Sequence, residues 1–222
     1  VADIAGVGEV TVTTDVMTDE QRRELRQSLR GGVAEPVIPF AQPASTTRAY
    51  AIASGKGGVG KSSMTVNLAT AFAQKGLSVG IVDADIYGHS IPGMLGSEVG
   101  PHSVDDMIMP PQAHGIKHIS IGQFVDGNAP VVWRGPMLHR AIQQFLGDVF
   151  WGDLDILLLD LPPGTGDIAI SVAQLVPNAE LLIITTPQAA ASEVAERAGT
   201  ISIQTKQRVA GVIENMSAMV LP

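Results

Sequence analysis

A chain of 222 residues, 45% of them hydrophobic, can bury a sizeable core and suits one main domain with a small appendage. Its formal charge of -8, from 14 basic and 22 acidic residues with no long basic run, argues against nucleic acid as the main partner. The chain has no cysteine, no secretory h-region and no apolar run long enough to span a bilayer. Disulfides and thiolate metal sites are therefore excluded within it, and we expect a cytoplasmic protein that binds no membrane.

The N-terminal residues, 1–30, form a small opening unit. Apolar alternation around Val10 predicts a strand, and Thr18 with Gln21 three positions later predicts the capping box of a helix that ends near Arg30. This unit is too small to be a whole domain.

A proline-rich stretch, 31–47, follows the opening unit and predicts an extended linker. The main domain then covers residues 48–222. The chain starts at Val1 and stops at Pro222, just after a strand-like run, so we expect it to be a piece of a longer protein whose main domain continues beyond this C-terminus.

Short apolar runs alternate with helical patterns throughout the main domain. Strands that alternate with crossover helices predict an α/β fold with a mainly parallel sheet covered on both faces, and ligands of such sheets bind at the carboxyl ends of the strands. The predicted strands are 49–53, 78–82, 118–121, 154–159, 181–185 and 209–213, and the predicted helices are 61–74, 137–149, 168–175 and 189–204.

The segment between the first predicted strand and helix, GKGGVGKS, fits two nucleotide-binding patterns. Residues 55–60 read G-x-G-x-x-G, the dinucleotide fingerprint, and Asp83 near the end of the second strand could bond a ribose. All eight residues read G-x-x-x-x-G-K-S, the phosphate-binding P-loop, which needs Lys61 on the outer phosphates and Ser62 on magnesium. The longer pattern is more specific. We therefore predict a P-loop whose backbone N–H groups, freed by glycines, cradle phosphates at the start of a helix.

Acidic residues follow two other predicted strands. Asp160, after a run of three leucines, can support the magnesium shell, as the acid of a P-loop enzyme does. The loop after it, LPPGTGD, combines stiff prolines with free glycines and could sense the outermost phosphate. Asp83 and Asp85 lie two residues apart, so one could order the metal's water while the other positions the attacking water.

Four ordered motifs, SGKGGVGKS, DADIYG, LLLDLPPGTGD and GVIENMS, resemble the Mrp branch of the deviant P-loop ATPases. Its relatives include the ParA and MinD partitioning ATPases and the nitrogenase iron protein. The resemblance covers about 45–222 and implies a three-layer P-loop NTPase fold. It also implies that residues 1–30 are the tail of the small α+β domain that often precedes the ATPase in bacterial Mrp proteins.

The resemblance implies a role for each motif residue. Lys56 matches the signature lysine that reaches the partner subunit's nucleotide in a dimer, and Asp85 matches the acid implicated in water activation. A lysine between partner phosphates offsets charge that develops in phosphoryl transfer. Asn215 matches the adenine-contacting asparagine. The residues implied to bind ATP are Gly55, Lys56, Gly57, Gly58, Val59, Gly60, Lys61, Ser62, Ser63 and Asn215, and those implied for Mg²⁺ are Ser62, Asp83 and Asp160.

The chain departs from the family's pattern at its C-terminus. Many Mrp relatives follow the NMS motif with a cysteine pair that bridges an iron–sulfur cluster between two subunits, and the first cysteine would fall at Leu221. Leucine cannot ligate iron, so the usual cluster site is absent from this chain. No metal-ligand spacing joins His89, His102, His114, His118 and His139, which favours surface or loop roles for them. Arg134 could meet a partner or a phosphate, or be a solvated residue beside a packed tryptophan.

The combined pattern favours an ATP-hydrolysing P-loop protein that works as a nucleotide-gated homodimer and carries iron–sulfur clusters to client or scaffold proteins. A ParA/MinD-type positioning ATPase is one alternative, but no terminal amphipathic helix or basic patch supports it. A non-catalytic nucleotide switch that binds a protein partner is the other alternative.

Overall fold

The computed structural model describes residues 18, 21, 37–86, 88–104, 107–124, 135–164, 166–187, 200, 202–203 and 205–218. The chain divides into two compact units, Val1–Glu35 and Pro36–Pro222. In the first unit, the backbone N–H of Thr18 donates to Gln21 Oε1 at 2.9 Å, and that of Gln21 donates to Thr18 Oγ1 at 3.3 Å. This reciprocal pair is the predicted capping box. The strand predicted before it lies outside the described residues.

The second unit is built on a seven-stranded sheet with the order β5-β6-β2-β7-β1-β8-β9. Every neighbouring pair is parallel except β5 and β6, while β3 and β4 form a separate antiparallel pair. The strands are β1 Arg48–Ser54, β2 Val79–Asp83, β3 His102–Val104, β4 Met107–Met109, β5 Gln112–Ala113, β6 Ile116–Ser120, β7 Ile156–Asp160, β8 Glu180–Thr185 and β9 Val209–Glu214.

Both faces of the central strands are buried. In β7, Leu157 and Leu159 belong to one hydrophobic cluster, whereas Ile156 and Leu158 belong to a second cluster on the other face. This alternation is the period of two of a strand, and it explains why the sequence shows a continuous apolar run.

Helices cover the two faces. They are α1 Lys61–Gln74, α2 Ile91–Met94, α3 Gly135–Gly147 and α4 Asp167–Leu175. The apolar residues of α3 and α4 join the cluster of Leu157, and those of α1 pack on the cluster of Leu158. The described part of the chain is therefore a helix–sheet–helix domain, which confirms the predicted three-layer α/β fold. In this described part no helix is both long and apolar enough to cross a membrane.

The stretch before β1 differs from the extended linker that the prolines predict. Residues Pro39–Ala41 form a turn of 3-10 helix, and both Ile38 and Phe40 are buried in the main core. The Phe40 ring contacts Trp151 edge-on, and the side chain of Asn178 donates to the Phe40 carbonyl at 3.0 Å. Burying one phenylalanine contributes about 2 kcal/mol, which favours docking of this segment over a free linker.

Several smaller elements were not predicted. These are the strands β3 to β5 and helix α2, each of which has too few residues for a periodic pattern. The strand predicted at 118–121 exists, but its bounds differ, since β6 is Ile116–Ser120. Of the predicted helix 189–204, residues 200 and 202–203 are described, and they are helical.

Candidate functional site

Polar residues end the parallel strands at one edge of the sheet. Ser54, Asp83, Ser120, Asp160 and Thr185 are the last residues of β1, β2, β6, β7 and β8, and all five are buried. Asp83 and Asp160 are register partners on adjacent strands, as are Ile52 and Asp160. Because parallel strands share a carboxyl edge, residues far apart in sequence form one polar cluster next to the loop after β1.

The loop that joins β1 to α1 depends on glycine. Gly58 and Gly60 have φ angles of 76° and 83°, in the left-handed region that other residues rarely adopt. Gly60 is also the N-cap of α1, and a Cβ there would lie 2.4 Å from the side-chain nitrogen of Asn215. Glycine is therefore required at these two positions, as the predicted P-loop expects, and the first N–H groups of α1 follow the loop directly.

Lys61 lies at the centre of the cluster although it is 6% exposed. Its Nζ donates to Asp160 Oδ2 at 2.7 Å and to Ser62 Oγ at 3.2 Å, and it lies 3.8 Å from Asp85 Oδ2. Ser62 Oγ in turn donates to Asp160 Oδ2 at 2.6 Å. A buried lysine needs such partners, since desolvation penalises an unpaired charge.

Thr65 is a member of the cluster that the sequence reasoning missed. It is fully buried on α1, and its Oγ1 lies 2.7 Å from Asp160 Oδ1 and 3.1 Å from the Lys61 carbonyl oxygen. The signal that could have found it is its spacing. A residue four positions after Lys61 lies on the same helix face.

Asp83 is a buried carboxyl with three donors. Ser120 Oγ donates to it at 3.0 Å, and the backbone N–H groups of Ile91 and Asp85 donate at 3.3 and 3.2 Å. Burial raises the pKa of Asp83 to about 7, the Asp160 carboxylate adds to this rise, and the three hydrogen bonds oppose it. Asp83 can therefore hold a proton near neutral pH.

Asp85 lies nearer the loop surface than Asp83. Its Oδ1 accepts from the backbone N–H of Gly88 at 3.1 Å, while its Oδ2 faces Lys61 Nζ. It lines a cavity of about 190 Å³ together with Lys56, Ser62 and Pro163. The carboxylate therefore borders the space beside the loop rather than the sheet interior.

Asn215 connects the end of β9 to the loop. Its side-chain nitrogen donates to the Val59 carbonyl oxygen at 2.9 Å, and its backbone N–H donates to the Thr185 carbonyl oxygen at 2.7 Å. A second cavity of about 220 Å³ lies here, lined by Lys56, Gly57, Gly58, Val59, Thr186, Pro187 and Met216. Lys56 borders both cavities, and Ser63 lines the first.

The histidines separate into two groups. His89 is exposed and packs against Gly122, and His102 and His114 are also exposed. His118 contradicts the expected surface or loop role, because it is fully buried in β6 with neither ring nitrogen hydrogen-bonded. Burial lowers the pKa of His118 to about 4, so the ring is a neutral core residue. Arg134 and Leu221 lie outside the described residues.

The oxygen atoms around Lys61 are suitable ligands for a hard cation. Ser62 and the Asp83 and Asp160 carboxyls offer oxygen atoms, the ligand type that Mg²⁺ prefers while it keeps several of its waters. Among the residues described, no group of three or more His, Cys, Asp or Glu side chains is arranged as a protein-only metal cage. The residues therefore fit magnesium bound jointly with phosphates better than a resident transition metal.

Comparisons with known proteins identify the relatives of this chain. The model of the NUBPL iron-transfer P-loop NTPase, of the ParA group, matches residues 45–222. The iron-sulfur cluster carrier protein of Mycobacterium bovis is 69% identical over 222 residues, which are 100% of this chain and 58% of that protein. The carrier protein of Bacillus subtilis is 50% identical over 167 residues, 75% of this chain and 47% of that protein. The chain thus spans about half the length of these relatives.

Solved structures are similar as well. A nucleotide-binding protein from Archaeoglobus fulgidus, in complex with ADP, has a TM-score of 0.68 and 42% identity, covering 79% of this chain and 69% of that chain. The septum site-determining protein MinD of Pyrococcus horikoshii, complexed with Mg-ADP, has a TM-score of 0.53 at 22% identity, covering 76% and 70% of the two chains, and shows the fold alone. The family predicted from four motifs is confirmed: this chain belongs to the NUBPL iron-transfer P-loop NTPases.

Proposed function

We propose that this chain binds ATP with Mg²⁺ at the loop of residues 55–62, hydrolyses it, and uses the cycle to carry iron–sulfur clusters as part of a longer protein. The observation that carries the proposal is the hydrogen-bonded group of Lys61, Ser62 and Asp160, whose polar atoms lie within 2.6 to 3.2 Å of one another beside a glycine loop. The names of the relatives support the cluster-carrying role, because several are iron-sulfur cluster carrier proteins.

The P-loop residues bind and position the phosphates in this proposal. Backbone N–H groups of the loop and the N-terminus of α1 donate to phosphate oxygens, and Lys61 moves from Asp160 to the outer phosphates. Bound Mg²⁺ supplies charge that offsets the phosphate oxygens. Ser62 would hold the magnesium ion directly, and Asp160 and Asp83 would hold its water shell.

Asp85 orients the attacking water. Its Oδ2 lies 3.8 Å from Lys61 Nζ, so an outer phosphate held by that lysine is within reach of a water that Asp85 accepts from. Asn215 contacts the adenine in this proposal, and its hydrogen bond to the Val59 carbonyl oxygen, beside the second cavity, supports that role.

The cycle is gated by a homodimer, in which Lys56 acts on the nucleotide of the partner subunit. Lys56 lines both cavities beside its own loop, so it lies at the proposed nucleotide site and not in the sheet core. A cation added from a second subunit stabilises charge that develops during phosphoryl transfer. Cluster clients or scaffold proteins are the partners in this proposal.

The test compares Lys61→Ala with Lys75→Ala, because Lys75 is an exposed lysine at the end of the same helix. We expect Lys61→Ala to abolish tight ATP binding in calorimetry and Lys75→Ala to bind like the parent. Equal affinity in the parent and Lys61→Ala contradicts the P-loop assignment, and a preference for NADH over ATP favours a dinucleotide site instead. For the carrier role, the full-length protein should transfer a cluster to an apo acceptor in an ATP-dependent way.

A further inference from the structure

Thr65 makes a contact that neither the P-loop pattern nor the relatives' names assign. Its hydroxyl is fully buried, and Oγ1 lies 2.7 Å from Asp160 Oδ1 and 3.1 Å from the carbonyl oxygen of Lys61. A hydroxyl has one proton to donate, and the shorter contact to a carboxylate is the stronger of the two. Thr65 therefore donates mainly to Asp160.

The two oxygens of Asp160 have different neighbours. Oδ2 accepts from Lys61 Nζ at 2.7 Å and from Ser62 Oγ at 2.6 Å, whereas Oδ1 accepts from Thr65. Under the proposed function, Lys61 turns to the outer phosphates and Ser62 to the metal, so both donors to Oδ2 acquire other partners. The Thr65 hydroxyl lies between α1 and β7 on the other carboxylate oxygen, so this exchange takes no partner away from it.

We propose that Thr65 is a positioning residue that holds the Asp160 carboxylate in one orientation through Oδ1, so that Oδ2 faces the magnesium shell whenever nucleotide binds. This inference rests on the proposed ATP and Mg²⁺ site. Thr65 acts through Asp160 and touches neither nucleotide nor metal. A carboxylate that rotated freely after losing Lys61 and Ser62 would have to be reordered at each binding event.

Thr70 shows what a purely structural threonine looks like on the same helix. Its Oγ1 donates to the Val66 carbonyl oxygen at 2.8 Å, the same bond to the residue four positions earlier that Thr65 shares with Lys61. Replacing either threonine with valine keeps the β-branched shape and removes this local bond. Only the Thr65 change also removes a donor from Asp160.

The experiment measures ATP affinity by calorimetry with Mg²⁺ and with EDTA, in the parent, Thr65→Val, Thr65→Ser and Thr70→Val of the full chain. The quantity of interest is the gain in affinity that Mg²⁺ gives. We expect Thr65→Val to reduce this gain about tenfold, since a hydrogen bond to a charged group is lost, while affinity in EDTA changes by less than about threefold. Thr65→Ser, which keeps the hydroxyl, and Thr70→Val should retain the parent's gain.

Three results would overturn the inference. The first is an unchanged Mg²⁺ gain in Thr65→Val, and the second is an equal loss of affinity with and without Mg²⁺, which indicates a structural defect. The third is a Thr65→Ser variant that folds but has lost the gain in ATP affinity from Mg²⁺. This variant still decides the question if Thr65→Val does not fold. Two other results contradict the proposed function instead: a parent protein that binds no ATP, and a Lys61→Ala variant that binds ATP as tightly as the parent. In either case this inference falls with the proposed function.

Discussion

Asp85 and Asp83 are two residues apart but have different surroundings. Asp83 is enclosed by three donors and has a pKa raised to about 7 by burial, whereas Asp85 Oδ2 faces Lys61 and the cavity beside the loop. A group that orients water must reach the substrate's side of the site. The geometry therefore separates an enclosed carboxyl that can retain a proton from a second carboxyl that borders the cavity beside the loop, and the proposed action on water belongs to the second.

Asp85→Asn tests this division of roles. We expect the variant to bind ATP with an affinity near the parent's and to hydrolyse it about 100-fold more slowly, because the amide is a poorer acceptor for the attacking water. Single-turnover phosphate release is the measurement. Asp153→Asn, at an exposed residue, is the matched control and should behave like the parent. Unchanged turnover in Asp85→Asn removes Asp85 from the mechanism.

His118 makes stability depend on pH. Burial lowers its pKa to about 4 in the folded chain, against 6.5 for the ordinary side chain. As pH falls below 6.5 the unfolded chain takes up a proton that the folded chain refuses, so stability is full above that pH and decreases down to about pH 4. The expected loss is about 3 kcal/mol.

His118→Met should remove this dependence, because methionine fills a similar volume without titrating. Urea unfolding between pH 7 and 4 measures the free energy of unfolding of both proteins. The difference between parent and variant isolates His118, because carboxyls such as Asp83 titrate in both proteins. The exposed His102→Met is the control and should follow the parent. Parallel curves for the parent and His118→Met would contradict a neutral, buried His118.

At the scale of elements, the loop between β1 and α1 is specified by two separate constraints. Gly60 needs both a left-handed backbone and space, since a Cβ would meet the Asn215 side chain at 2.4 Å. Gly76 at the end of α1 has the same φ of 83°, yet nothing lies within 4 Å of its Cβ position. Comparing substitutions at Gly60 and Gly76 therefore separates the effect of backbone strain from the effect of steric crowding.

Gly76→Ala should destabilise the chain by about 1 kcal/mol, from the left-handed backbone alone, and leave ATP binding intact. Gly60→Ala should destabilise the chain more than Gly76→Ala does, and it should weaken ATP binding at least tenfold, because the added methyl group displaces the loop or Asn215. Thermal unfolding and ATP calorimetry measure the two effects. Equal ATP affinity in the parent and Gly60→Ala would show that this loop geometry is not required for binding.

The elements that carry the site were the most predictable from sequence. The predicted helix 61–74 has the bounds of α1, and the central strands were placed within a few residues, because continuous apolar runs and a glycine loop leave little choice. The structure brings Lys61, Ser62, Asp83, Asp85 and Asp160 to one edge of the sheet. Their individual roles remain proposals.

Other features depend on tertiary contacts that no local pattern encodes. Phe40 is buried in a proline-rich stretch because Trp151 and Asn178, distant in sequence, contact it. His118 is fully buried in β6, although histidine is on average only of intermediate burial. Thr65 looks like an ordinary helix residue until β7 brings Asp160 against it.

At the scale of the whole molecule, the site places constraints on assembly. If Lys56 acts across a subunit boundary, binding of ATP must favour the dimer, because a ligand stabilises whichever state binds it better. We expect ATP with Mg²⁺, or a non-hydrolysable analogue, to shift the protein towards dimer in sedimentation experiments. Lys56→Ala should reduce hydrolysis and this shift far more than ATP binding, while Lys75→Ala should match the parent. An ATP-independent monomer with full turnover removes the role of Lys56 in the partner's site.

Cluster binding should separate from nucleotide binding in a protein made of these 222 residues. The sequence contains no cysteine, and the resemblance to the Mrp family implies that the first cluster cysteine would fall at Leu221. Iron–sulfur clusters are normally held by thiolates, whereas phosphates are held by backbone amides, Lys61 and magnesium. We therefore expect this protein to bind ATP but to hold no stoichiometric cluster after anaerobic reconstitution with iron and sulfide.

Iron and sulfide assays, with visible absorption, measure the cluster, and ATP calorimetry on the same sample confirms that the protein is folded. The result expected is ATP binding without cluster absorption, so that any carrier activity must use ligands other than these residues or a cluster held mostly by a partner. The structural reason is that, in the part of the chain described, no group of three or more His, Asp or Glu side chains is arranged to hold a metal ion, and the nitrogens of His118 are buried in the core. A stable cluster at about one per dimer would contradict this reasoning and show that histidine or carboxylate ligands suffice.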